Sequence, residues 1–92
     1  MESRQHKGFL QLNDEEVQLV ALKLALISAA KKSRIQRKLS QIDLAQRTKS
    51  SQSRIAKIEA GDPSVSLDLI VRALIASGAT TRDIQAAFTA NE

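Results

Sequence analysis

Four side chains, Gln52, Ser53, Arg54 and Lys57, lie within six consecutive residues and offer hydrogen-bond donors and acceptors with no negative charge. If residues 51–60 form a helix, Ile55 and Ile58, three apart, face inward and these four face out. An amide, a hydroxyl, a guanidinium and an ammonium on one helical face suit the floor of a DNA major groove, where each base pair presents its own pattern of donors and acceptors.

The rest of the chain offers little for other chemistry. There is one histidine, His6, and no cysteine or Gly-rich phosphate loop, so no nucleophile-base pair or metal-ligand set can be assembled. Asp14, Glu15 and Glu16 are the densest acidic group. They sit where a helix N-terminus favours negative charge, and they lack a catalytic partner. No catalytic residue, metal ligand or cofactor is expected.

The four polar residues need a frame, and residues 39–61 supply one: two short helices joined by a tight polar turn. Leu44 and Ala45 face inward on the first, Thr48 to Ser50 form the turn, and Ser51 caps the second. Ala45 is small enough for the second helix to approach closely. This stretch resembles the helix-turn-helix of phage repressor and Cro proteins, the xenobiotic response element type. The match, carried by Leu39, Gln41, Leu44, Ala45, Gln52, Ile55, Ile58, Glu59 and Gly61, runs without gaps. The continuation from Asp62 through Pro63 to Leu67 resembles the family's entry to its next helix.

The resemblance implies a repressor-like DNA-binding domain, and the chain's own pattern makes it all-α, with five helices and an extended apolar N-terminal one. The resemblance also implies base readout by Gln52, Ser53 and Lys57, with Arg54 taking a guanine or a phosphate. Gln41, at the start of the preceding helix, is placed for a phosphate, as is Ser51, while Arg37, Lys38, Arg47 and Lys49 line the rims. Arg34 and Glu59 match a structural ion pair between helices. Three positions depart from the pattern: Thr48 and Ser50 replace apolar residues, and Lys49 replaces glycine. Either Lys49 takes the left-handed backbone, at roughly 1 kcal/mol, or the turn has another shape.

Charge distribution agrees. The 92-residue chain has a net charge of +4, but residues 31–57 hold nine basic side chains against the single acid Asp43. The remainder has five basic and nine acidic residues, so the positive block coincides with the motif and suits a polyanion. With two phenylalanines as its only aromatics, the core must be aliphatic. The charged N-terminus does not read as a signal peptide. The apolar run 17–30 is short of the ~20 residues a membrane span needs, so a cytoplasmic protein is expected.

Along the chain, residues 1–12 are expected to be a mobile segment with an apolar anchor at Phe9, Leu10 and Leu12. Residues 13–92 form a single helical domain with the helix-turn-helix at 40–60. Asn13 and Glu16 make a capping box for a helix starting at Asp14, with Leu12 and Val17 as its hydrophobic staple. From Val17 to Ala30 this helix is apolar on two sides: Val17, Val20, Leu24 and Ile27 on one, Leu19, Leu22, Leu26 and Ala29 on the other. One stripe needs a cover, expected from a second copy through Leu19, Leu22 and Leu26. The alternatives are that Phe9, Leu10 and the last helix fold back, or that a small toxin is bound by an autoregulating antitoxin. After Gly61, a fourth helix opens at Val65–Ser66 and ends at Gly78, and a fifth starts from Thr80 or Thr81. The expected partner is double-stranded DNA, bound by a homodimer, with no membrane association.

Overall fold

The structure is a computed structural model that describes residues 13–90. The expected mobile segment 1–12, including His6 and the anchors Phe9, Leu10 and Leu12, lies outside the described residues, so the Leu12–Val17 staple does too. The described chain is all helical: α1 (Asp14–Gln36), α2 (Gln41–Arg47), α3 (Gln52–Glu59), α4 (Leu67–Ala76) and α5 (Thr81–Ala90).

Each helix starts where a side chain satisfies its otherwise unpaired amides. Asn13 and Glu16 form the capping box of α1, and Ser40 and Asp43 form a second one at α2. Ser51 accepts from the Arg54 amide and Ser66 from the Leu69 amide. Thr80 and Asp83 exchange reciprocal bonds before α5. The first four helices end in a common closure, in which the second residue past the cap donates back five positions. The pairs are Leu39 to Arg34, Ser50 to Ala45, Asp62 to Lys57 and Ala79 to Leu74. The residue between cap and donor is left-handed in each: Lys38, Lys49, Gly61 and Gly78.

Burial follows from these elements. Leu26, Ile27 and Ala30 of α1 pack with Leu44, Ala45, Ile55, Ile58, Val65, Ile70, Ala73 and Leu74 in one aliphatic core. Helix α1 lies mainly on α4 and α5, while α2 packs on α3. Ile84 anchors α5 at the edge of the core, while Phe88 is exposed. At 1.5 Å per residue α1 is about 34 Å long, and its buried positions begin only at Ala25.

The two apolar sides of α1 divide differently from expectation. Leu26 is 5% exposed and Leu22 packs against the core, so these two positions of the expected partner stripe turn toward the chain's own interior. Leu19 remains 48% exposed, because the helix has run past the core by that point. The surface stripe is the opposite one: Val17, Val20 and Leu24 are about half exposed, while Ile27 at its end is buried.

Candidate nucleic-acid interface

Helix α3 is held by Ile55 and Ile58, both fully buried. Since a helix repeats every 3.6 residues, fixing these two fixes what the other side presents. Gln52, Ser53, Arg54 and Lys57 are all exposed. The side chains of Ser53, Arg54 and Lys57 make no hydrogen bond within the described residues. Ser51 caps α3 through its oxygen and keeps its hydroxyl hydrogen to donate outward.

Gln52 is held in a way the sequence did not disclose. Its Nε2 donates to Gln41 Oε1 at 3.1 Å, and Gln41 Nε2 donates to Glu59 Oε1 at 3.1 Å. Glu59 accepts from Arg34 Nε at 2.6 Å and from its second terminal nitrogen at 3.0 Å. The Arg34–Glu59 pair is therefore bidentate, and its side chains are only 13% and 5% exposed. The third Arg34 nitrogen donates to the Leu39 carbonyl at 2.8 Å. One chain of bonds thus links α1, α2 and α3 and ends on the outward amide. Gln52 retains its carbonyl and one amide hydrogen, an acceptor and a donor side by side. Burial alone would raise the Glu59 carboxyl, but the hydrogen bonds from Arg34 and Gln41, with the Arg34 charge, outweigh it and keep its pKa low.

The turn between α2 and α3 is now defined. Lys49 takes the left-handed conformation that glycine would otherwise supply, with φ of 54°. Thr48 Oγ1 donates back to the Leu44 and Ala45 carbonyls. Ser50 Oγ is buried without a hydrogen-bond partner. Lys38, before α2, is also left-handed with φ of 59°, so exposed lysines flank that helix on both sides.

Two of the expected rim cations are engaged elsewhere. Arg37 donates to Ser33 Oγ at 2.7 Å, lies 3.7 Å from Asp83, and passes so close to Gly78 that a Cβ there would come within 2.7 Å of its Nε. It is a brace between α1 and the α4–α5 junction, with its side chain 37% exposed. Its neighbour Ser33 is buried and donates to the Ser77 carbonyl. Arg47 donates to the Ala76 carbonyl at 3.2 Å and closes the end of α4, though the residue stays exposed. Lys38 and Lys49 are the rim cations without such an engagement.

Nearby acids are committed within the chain as well. Asp43 is held below the usual carboxylate range by the Ser40 amide and hydroxyl, and Asp62 by the hydroxyl and amide of Ser64. Among the described residues there is no acidic or histidine cluster able to hold a metal, and no helix long and apolar enough to cross a membrane.

The family model described as helix-turn-helix, of the xenobiotic response element type, matches residues 31–78, just over half of the chain. The chain belongs to this family. It is a DNA-binding transcriptional regulator of that type, and the matched span holds α2, α3, α4 and the basic C-terminal end of α1. No curated protein and no solved structure matches this helix-turn-helix protein.

Proposed function

We propose that this protein is a sequence-specific repressor that reads the DNA major groove with α3 as a homodimer on a pseudo-palindromic site. The observation that carries this reading is the outward face of α3, where Ser53, Arg54 and Lys57 stand beside a Gln52 amide oriented through Gln41. The carbonyl and remaining amide hydrogen of Gln52 match the N6 amine and N7 of adenine, and Lys57 matches guanine acceptors. Lys38, Lys49 and Ser51 take phosphates, with Arg47 and the second amide hydrogen of Gln41 adding to them. Two-fold pairing would set two copies of α3 about 34 Å apart, one turn of DNA. A domain docked in this way represses by occupying its site, and its place of action is the cytoplasm.

Fluorescence anisotropy on a labelled fragment from upstream of the gene, against scrambled DNA across a salt series, tests this. The expected result is sequence-dependent binding with a steep salt slope. Gln52→Ala should weaken the specific site by about 1–3 kcal/mol and leave scrambled DNA little changed. Equal weak binding to both fragments would remove the sequence-specific claim. No binding at low salt would remove the DNA claim itself.

A further inference from the structure

The first three turns of α1 reach beyond the core. Between Asp14 and Leu24 no residue is buried, and Val17, Val20 and Leu24 are 51%, 44% and 51% exposed. Their spacing of three and then four makes a ridge that turns into the chain's own core at Ile27, and seven residues beyond Leu24 the same line emerges at the exposed Lys31. So short a helical stretch is marginal alone in water, and an aliphatic ridge on it favours a cover.

The charge along α1 points to the cover. Asp14, Glu15 and Glu16 occupy its first turn, while Lys23, Lys31 and Lys32 follow down its length. A helix polarised in this way complements a second copy of itself running in the opposite direction. The acidic turn of each lies on the basic length of the other, and the helix dipoles also oppose favourably. A parallel pairing would set acid against acid.

We infer that α1 is the dimer surface, with the Val17–Val20–Leu24 ridge packed antiparallel against the same ridge of a second copy. The inference deepens the homodimer reading above and rests on it. In the heptad register, Leu24 of each copy meets Val20 of the other, and Lys31 of each reaches the acidic first turn of the other. The exposed ridge from Val17 to Leu24, about 12 Å long and about 10 Å wide from the rise per residue and helix width, is far below the ~800 Å² per partner of a standard interface. The pair is therefore weak in free solution and is consolidated when two half-sites on one DNA hold the copies together.

Sedimentation equilibrium over a concentration series, with and without Val20→Glu, tests the surface. Residue 20 is already exposed, so helical content should be retained. The charge should raise the dimer dissociation constant by roughly tenfold or more, because it would be buried without a partner. Orientation follows from cysteine probes, since the chain has no cysteine of its own. Mixing Val20→Cys with Leu24→Cys should give the 20–24 cross-link in preference to 20–20 or 24–24.

A wild-type chain that stays monomeric throughout, a dimer indifferent to Val20→Glu, or preferred 20–20 and 24–24 cross-links would each overturn the inference. Anisotropy on a single half-site separates the two readings. Val20→Glu should bind the half-site as the wild type does, and loss of binding there would overturn the claim that the ridge serves assembly alone.

Discussion

Helices α1 and α2 end on lysine at the left-handed position, whereas α3 and α4 end on glycine in the same closure. For an L-residue this conformation costs about 1–2 kcal/mol, and for glycine almost nothing. The lysine ends both flank α2, inside the basic block, and both are reinforced. At Lys38, Arg34 accepts from the Leu39 amide through its backbone and donates to the Leu39 carbonyl through its side chain. At Lys49, Thr48 bonds back into the last turn of α2. At Gly78 the reason for glycine is different, because Arg37 occupies the space a Cβ would need. The contrast shows two uses of one turn: a positive charge is kept on either side of α2 despite strain, and close packing is kept at Gly78.

The largest disturbance to this contrast is expected from Arg34→Ala, which removes the reinforcement at Lys38 and leaves Glu59 buried without its ion partner. A loss of about 3 kcal/mol should appear in urea unfolding. Gly78→Ala is next, at about 2 kcal/mol, since it combines backbone strain with displacement of Arg37. Gly61→Ala should cost about 1 kcal/mol, because its Cβ would meet Leu24 only at an ordinary 3.6 Å. If the two glycine variants proved equal, the packing role of Gly78 would be lost.

The lysine ends should respond in the opposite direction. Lys38→Gly and Lys49→Gly should each stabilise the fold by up to about 1 kcal/mol. Each should also weaken DNA binding for all sequences alike and lower the salt slope by about one. A stabilised variant with unchanged affinity would end the idea that strain is kept for charge. Ser50→Ala removes a buried hydroxyl without a partner and should stabilise by roughly 1 kcal/mol.

Acid is the gentlest test. The Glu59 pKa is depressed on folding, so its contribution is present above the ordinary glutamate range of about 4.3 and is lost as pH falls through the lower folded value. Stability should be flat near neutrality and decline in acid, with a shallower decline in Glu59→Gln measured by the same unfolding assay.

Much of the frame was legible because its signals are local. Asn13 with Glu16, Ser51, Gly61 and Gly78 each mark a helix boundary through a single cap or stop, and Ile55 with Ile58 orient α3. The buried side of α1 was not legible, because a helix apolar on two sides gives periodicity no preferred direction. The core took Leu22 and Leu26 from one side and Ile27 from the other, and left Val17, Val20 and Leu24 exposed. Arg37 reads as one more cation in a basic run, and only the fold brings Ser33, Gly78 and Asp83 around it. The Gln41–Gln52 bond joins residues eleven apart on separate helices, beyond the reach of any spacing rule within one helix.

That bond bears on how the protein could be retargeted. On the proposed reading, Ser53, Arg54 and Lys57 contact bases and carry no share of the core, so they can be exchanged for other side chains with little risk to folding. Position 52 is not independent in the same way. Any replacement there inherits the waiting carbonyl of Gln41, and through it the alignment of Glu59 and Arg34. New specificity at that position is therefore a two-residue alphabet, written at 41 and 52 together.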